Sequence, residues 1–208
     1  RAGDFLLARA SETAAPLGTE AVSLLARTYG DLCEGQIGEL QLAGDTAQSR
    51  AGYLRVIRLK TASLIRTSAR LGAMAGGAPA AEVEAVTGWA HEAGMAFQIT
   101  DDVLDLVASE DFLGKPAGSD IGEGTFTLPV LFAMEGPDGD EVRRLLAGGL
   151  PYPPEAVARV IDLARSRDHV ERALQVAREH TAAAAAALAA LPRGPVTDVL
   201  RTLGEYLI

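Results

Sequence analysis

The chain has 208 residues, enough for a sizeable core, and only 5% of them are aromatic, so Ala, Leu and Val must fill that core. The formal net charge of -9 excludes a protein that binds nucleic acid through a basic surface. It does not exclude diphosphate substrates, because a bound metal ion can reverse the local sign of a site. The one cysteine, Cys33, cannot form an internal disulfide and predicts a reducing compartment such as the cytoplasm.

The sequence has no long apolar segment, and its first residues are unusual for the start of a protein. No uninterrupted apolar stretch reaches the roughly 18 residues needed to span a bilayer, so we expect no transmembrane segment. The first ten residues begin without methionine and have the pattern of a helix interior. We therefore expect the protein's true N-terminus to lie outside this sequence.

Apolar residues recur at helical spacing along the whole chain, whereas strand and hairpin signals are nearly absent. In chain order this pattern predicts helices over residues 20–44, 52–74, 80–107, 127–135, 140–147, 154–166, 169–191 and 196–207. Gly and Pro clusters separate them. Residues 109–125 form the one longer irregular stretch, and loops of that length are often functional. The sequence thus predicts a single all-α domain over residues 1–208, without an internal repeat.

An acidic motif lies near the end of the predicted helix 80–107. Asp101 and Asp105 are one helical turn apart and share a face with Gln98, and Asp102 lies beside them. Such hard oxygen ligands suit Mg²⁺, although the same pattern also occurs as a solvated acidic patch. The preceding residues 94–100 are largely apolar, which favours a position inside the bundle, where buried carboxylates need a positive partner.

Two lysines are candidate partners for a diphosphate. Lys115 lies in a glycine-rich segment over residues 113–120, where an ammonium group and backbone amides can clamp an anion. Lys60, followed by Thr61, lies inside an otherwise apolar helix, where a lysine is more often solvated. If the two long helices pack antiparallel, Glu39 is placed to pair with Lys60.

Six ordered segments together resemble one family. Residues 94–105 are similar to its second aspartate-rich motif with its lead-in, residues 113–121 to the loop after that motif, and residues 127–129 to the start of the next helix. Residues 53–62 are similar to its lysine–threonine helix, residues 35–39 to its glutamine-containing helix, and residues 3–10 to a segment that follows its first aspartate-rich motif. On these residues the chain resembles the trans-polyprenyl diphosphate synthases, and its context is closer to medium- and long-chain members. The last 70 or so residues match only in helical character.

The resemblance implies an isoprenoid-synthase helical bundle around a central cavity. The implied enzyme is a Mg²⁺-dependent prenyltransferase that condenses isopentenyl diphosphate with an allylic diphosphate and releases diphosphate. By this resemblance, the residues that bind the metal, directly or through water, are Asp101, Asp102, Asp105 and Asp120. The residues that contact the diphosphate are Lys60, Thr61, Gln98 and Lys115. Gln36 and Glu39 would line the cavity near the reacting carbons.

The chain departs from the family pattern in two ways. The first aspartate-rich motif and the arginines after it should precede Gly3, and they are absent from the sequence. The family usually has a lysine after Glu123 and Gly124, whereas this chain has Thr125. The first departure implies that these residues alone are not a complete enzyme, and the second removes a cation from the diphosphate site.

Other functions stay open at this point. Thr125 raises the alternative of a non-catalytic subunit of a heteromeric synthase, although the intact acidic motif argues against it. A terpene cyclase of the same fold is expected to carry a different metal motif on a late helix. The resemblance implies a homodimer, and the sequence itself indicates more apolar helix surface than one simple bundle needs.

Overall fold

The protein is described here by a computed structural model, which covers residues 2–108 and 117–208. Its α-helices are α1 (Ala2–Ala14), α2 (Thr19–Leu42), α3 (Arg50–Ile57), α4 (Ser63–Ala75), α5 (Ala80–Val107), α6 (Ser119–Gly122), α7 (Leu128–Glu135), α8 (Gly139–Leu146), α9 (Pro154–Arg165), α10 (His169–Ala187) and α11 (Pro195–Glu205). A π-helical turn, Arg58–Ala62, joins α3 to α4. The described residues contain no strand, so the predicted all-α class is confirmed.

The predicted helices agree with the observed ones to within a few residues, with two corrections. The helix predicted over residues 52–74 is interrupted by the π-helical turn, which divides it into α3 and α4. The stretch predicted to be irregular over residues 109–125 contains the short helix α6. Residues 109–116 of that stretch, and with them Lys115, lie outside the described residues. Among the residues that are described, no helix is both long and apolar enough to cross a lipid bilayer.

Helix α5 is the central element, and it packs against α4 on one side and α10 on the other. It is 28 residues long and buries side chains along its whole length. Trp89 and Ala93 of α5 meet Ala184 of α10 and Leu188 just beyond it in a small cluster. The distance between two packed helices depends on the size of the side chains at their contact, so the alanines here allow α5 and α10 to approach closely.

Helix α7 supplies the centre of the larger core. All residues from Leu128 to Met134 are buried, so this short helix is apolar on every side. Pro129 occupies its first turn, where a missing backbone N–H costs nothing. The guanidinium of Arg172 lies 4.0 Å from the centre of the Phe132 ring and covers it. The larger core is thereby built around one buried helix.

Several large apolar side chains of α1 and α2 are exposed. Phe5 and Leu6 of α1 are each 65% exposed, and Ile37 and Leu40 of α2 are 56% and 67% exposed. Ile37 and Leu40 belong to the apolar repeat that predicts the helix over residues 20–44. The repeat therefore identifies the helix correctly, and part of its apolar face is left uncovered by the described residues.

The π-helical turn is held between two glycines of the neighbouring long helices. A Cβ atom on Gly35 of α2 would lie 2.9 Å from the backbone nitrogen of Lys60, and one on Gly94 of α5 would lie 2.9 Å from the Cα of Ala62. Both distances are shorter than real Cβ contacts, so only glycine fits. A π-helical turn widens the backbone locally and is common at functional sites. Here it lets one turn contact α2 and α5 at once.

The first prediction concerns this contact. Gly94→Ala should lower the free energy of unfolding by about 1–3 kcal/mol, because the added methyl meets backbone that cannot rotate away. Gly88→Ala on the same helix is the matched control, since its Cβ would lie 3.6 Å from the Cβ of Ala187, an ordinary contact. The control should be neutral or slightly stabilising, because alanine favours the helix by up to about 1 kcal/mol. Urea unfolding measures both, and equal effects of the two substitutions would contradict the account.

Candidate active site

A cavity of about 410 Å³ lies between α2, the π-helical turn, α5 and residues 120–125. Every predicted site residue that the structure describes lines this cavity: Gln36, Glu39, Lys60, Thr61, Gln98, Asp101, Asp102, Asp105 and Asp120. Residues distant in sequence thus converge on one space. Lys115 is the one predicted site residue that lies outside the described residues.

Asp102 is the anchor of a hydrogen-bond chain across one wall. The Tyr53 hydroxyl donates to its Oδ2 at 2.6 Å, and the side-chain amide of Gln98 donates to its Oδ1 at 2.7 Å. The Thr61 hydroxyl in turn donates to Oε1 of Gln98 at 2.6 Å. Both the nitrogen and the oxygen of the Gln98 side-chain amide therefore have a partner, which fixes the orientation of the amide. The chain of contacts ties α3 and the π-helical turn to α5.

The surroundings of Asp102 disfavour its charge. Burial raises the pKa of the Asp102 carboxyl to about 7, although the hydrogen bonds from Tyr53 and Gln98 act to lower the pKa. The neighbouring charges of Asp120 and Asp101 raise it further. Burial, followed by the charge of Asp102, raises the pKa of Tyr53 well above its usual value. The donors that hold Asp102 are thus neutral groups, and a cation in the cavity would favour the ionised carboxylate.

Asp101 and Asp105 lie one helical turn apart at the cavity wall. Asp101 is exposed to the cavity, whereas Asp105 is 6% exposed. The backbone of Asp105 accepts a hydrogen bond from the N–H of Gly118 at 3.0 Å. Gly118 has φ of +71° and leads directly into α6, which carries Asp120. This turn brings Asp120 to the same wall as the two acids of α5.

The donor set fits a divalent metal that shares its coordination with a substrate. Within the described residues, no group of three or more His, Cys, Asp or Glu side chains forms a closed metal site. Mg²⁺ does not require one, since it usually binds through one or two carboxylates, several waters and substrate phosphates. An open cavity with acidic oxygens on one wall is the arrangement that such a metal needs.

Lys60 faces the acids from the π-helical turn. Its Nζ lies 2.5 Å from Oε2 of Glu39, and the amide of Gln36 donates to the same oxygen at 2.9 Å. The predicted pairing of Glu39 with Lys60 is confirmed. Among the described residues of the cavity wall Lys60 is the only lysine or arginine, and it stands among the acids Glu39, Asp101, Asp102, Asp105, Asp120 and Glu123.

Sequence reasoning missed several lining residues. Tyr53 begins the segment that resembles the lysine–threonine helix and is not among the predicted site residues, yet it lies about two helical turns before Lys60, a spacing that places both on one side. Gln48 lines the cavity and donates to the backbone oxygen of Phe126 at 3.3 Å. Thr125, the residue that departs from the family pattern, is expected in the diphosphate site from the sequence, and it does line the cavity wall.

A contact between two glycines lies at the cavity wall, to which Gly124 belongs. The backbone N–H of Gly44 donates to the oxygen of Gly124 at 2.9 Å. Gly124 has φ of +84°, and a Cβ atom there would lie 2.9 Å from the nitrogen of Gly44. A larger residue at this position would separate the segment after α2 from the segment after α6. No feature of the sequence alone indicated this contact.

This fold and this site define a class of protein. The family model described as polyprenyl synthetase matches residues 1–164. The chain belongs to the polyprenyl synthetase family, in agreement with the resemblance found in its motifs.

Particular relatives agree with this assignment. The nonaprenyl diphosphate synthase of Mycobacterium tuberculosis is 39% identical over 209 residues, which cover 100% of this chain and 62% of the relative. The heptaprenyl diphosphate synthase component 2 of Geobacillus stearothermophilus is 39% identical over 207 residues, 99% of this chain and 64% of the relative. The chain thus spans less than two thirds of the length of these curated relatives.

A solved structure shows the same fold. It is a polyprenyl synthase from Caulobacter crescentus, complexed with calcium and isoprenyl diphosphate. It is 32% identical in sequence and superposes with a TM-score of 0.90 over 99% of this chain and 63% of that chain. The all-helical bundle of the present chain is therefore the fold of a polyprenyl synthase.

The second prediction tests the anchoring of Asp102. Tyr53→Phe should lower the free energy of unfolding by about 1–3 kcal/mol, because it removes one donor from a buried carboxyl group. Tyr206→Phe removes the same hydroxyl from a side chain that is 82% exposed, and it should change stability by less than about 0.5 kcal/mol. Chemical denaturation of both variants measures the difference. A loss no larger for Tyr53→Phe than for Tyr206→Phe would show that the hydroxyl does not hold Asp102.

Proposed function

We propose that this chain carries the allylic-diphosphate site of a prenyltransferase that condenses isopentenyl diphosphate with an allylic diphosphate and releases diphosphate. The observation that carries the proposal is the cavity in which Asp101 and Asp105 lie on one wall and Lys60 and Thr61 on another. The relatives, which are nonaprenyl and heptaprenyl diphosphate synthases, support the same reaction.

Asp101 and Asp105 are the proposed direct ligands of Mg²⁺, with Asp120 acting through water. Bound Mg²⁺ would supply positive charge that stabilises the departing diphosphate. Asp102 supports this wall, since its two oxygens already accept hydrogen bonds from Tyr53 and Gln98. The solved relative in complex with calcium and isoprenyl diphosphate supports a divalent metal at such a site.

Lys60, Thr61 and Gln98 are the proposed contacts to the diphosphate, and Lys115 is a further contact proposed from the sequence. The allylic carbon–oxygen bond breaks with its electron pair on the diphosphate oxygen, so donors at that oxygen lower the barrier. The isopentenyl double bond then forms the new carbon–carbon bond, and a proton leaves. Ammonium, hydroxyl and amide donors held by packed helices need little rearrangement for this task.

The apolar part of the cavity wall has a separate task. Leu40, Val56 and Ile57 line the cavity beside the polar groups. An allylic cation reacts with water, so side chains that exclude water protect it until the new bond forms. Gln36 and Glu39 also line the cavity, and they are the proposed neighbours of the reacting carbons.

The assembly and the compartment belong to the same proposal. The exposed apolar side chains of α1 and α2, including Phe5 and Ile37, support a homodimer. The exposed thiol of Cys33 supports a reducing compartment, such as the cytoplasm.

A second candidate is a subunit of a two-component synthase. One relative is named as component 2 of a heptaprenyl diphosphate synthase, and Thr125 removes a cation that the family pattern places in the cavity. In this case the acids of α5 still bind the metal, and turnover requires another chain. The experiment below separates the two candidates.

The third prediction is the turnover test. The full-length protein, given labelled isopentenyl diphosphate, Mg²⁺ and geranyl, farnesyl or geranylgeranyl diphosphate, should form elongated product. EDTA should abolish it, and Asp101→Ala should lower kcat at least about 100-fold, because the metal loses a ligand. Asp198→Ala, at an exposed acid on α11, is the control and should retain activity. Absence of product with every primer would contradict a self-sufficient enzyme and favour the two-component candidate.

A further inference from the structure

The positive charge of Lys60 is neutralised by a carboxylate of the same cavity wall. Lys60 is the only lysine or arginine of the wall within residues 2–108 and 117–208, and its ammonium is bound to Glu39 at 2.5 Å. A diphosphate that binds Lys60 has to compete with this carboxylate. We propose that Glu39 is an exchangeable counter-ion, which Lys60 leaves when the diphosphate of the substrate binds. This proposal rests on the proposed function and adds to it a residue that lowers the affinity for diphosphate.

The geometry favours exchange over a permanent structural ion pair. The side chains of Lys60 and Glu39 are 40% and 25% exposed, so the ammonium can move without opening the core. Pairs that are this accessible to water contribute little to stability, which makes their separation inexpensive. Glu39 does not depend on Lys60 alone, because Gln36 donates to the same carboxylate oxygen at 2.9 Å.

The two partners sit on different elements. Glu39 belongs to α2, and Lys60 belongs to the π-helical turn whose backbone is fixed against Gly35. The base of the lysine side chain is therefore held in place, and only its flexible end has to move from one anion to the other. On this account Glu39 keeps the ammonium within the cavity and prevents it from pairing with Asp101 or Asp105, which the metal requires.

Competition of this kind has a definite signature. The apparent affinity for diphosphate equals the intrinsic affinity multiplied by the fraction of the protein in which Lys60 is free to bind it. Glu39→Gln keeps the shape of the side chain and removes the charge, so inorganic diphosphate with Mg²⁺ should bind about three- to tenfold more tightly. The gain should require Lys60, because the lysine is the group that is released.

A general reduction of negative charge in the cavity would also tighten anion binding, and two controls separate it from exchange. Glu123→Gln removes one charge from the same wall, at a residue for which no pairing with Lys60 is seen. Its effect on diphosphate binding should be less than about twofold. In a Lys60→Met background, adding Glu39→Gln should leave the affinity unchanged to within about twofold, whereas an effect of charge alone would persist.

The fourth prediction is measured by titration calorimetry of the full-length protein with inorganic diphosphate and Mg²⁺. The variants are Glu39→Gln, Glu123→Gln, Lys60→Met and the double variant at Glu39 and Lys60. A gain that appears only with Glu39→Gln and only when Lys60 is present supports the exchange. Equal gains from Glu39→Gln and Glu123→Gln, a gain that survives in the Lys60→Met background, or no gain at all would overturn it.

Failure of the proposed function gives a different result in the same titrations. If wild-type protein does not bind diphosphate with Mg²⁺, or if Asp101→Ala binds it as tightly as wild type does, the site itself is wrong and the exchange falls with it. If wild type binds and Asp101→Ala does not, the site stands, and only the comparison of the Glu39 variants decides the exchange.

Discussion

The close contact of the π-helical turn Arg58–Ala62 with two glycines determines the rest of the site. Gly35 of α2 and Gly94 of α5 leave no side chain between their helices and this turn. Lys60 and Thr61 are consequently held by backbone packing on both sides. The turn sets the position of the cation relative to Glu39 on one neighbour and of the hydroxyl relative to Gln98 on the other.

The second constraint is electrostatic. A wall with several carboxylates and one described ammonium is stable only if the acids are hydrogen-bonded, protonated or neutralised by a ligand. Tyr53 and Gln98 satisfy Asp102 with neutral donors, which leaves the exposed Asp101 facing the cavity. On the proposed function, the free energy that burial costs these acids would be recovered when a divalent metal and an anionic substrate bind together, which would link affinity for the metal to affinity for the diphosphate.

Local patterns in the sequence predicted the helices and the acids of α5, whereas Gln36 and Asp120 of the cavity wall were indicated by the family resemblance. Helical periodicity located α5 to the residue, and the spacing of Asp101 and Asp105 placed both on one face. The π-helical turn was not predicted, since its cause is tertiary: two glycines distant in sequence that meet the same turn. The hydrogen bond from Tyr53 to Asp102 was missed for the same reason, because a tyrosine on an apolar face also fits an ordinary core. The contact of Gly44 with Gly124 joins two loops that no periodicity relates.

The central claim is that one cavity binds a diphosphate between the acids of α5 and the turn that carries Lys60. A crystal structure of the full-length protein with Mg²⁺ and inorganic diphosphate tests it most directly. The account predicts diphosphate in contact with Lys60 and Thr61, and a metal ion between the diphosphate and Asp101. Diphosphate bound elsewhere, for example in the open groove beside Arg165 between α6 and α9, with Lys60 still paired to Glu39, would contradict it.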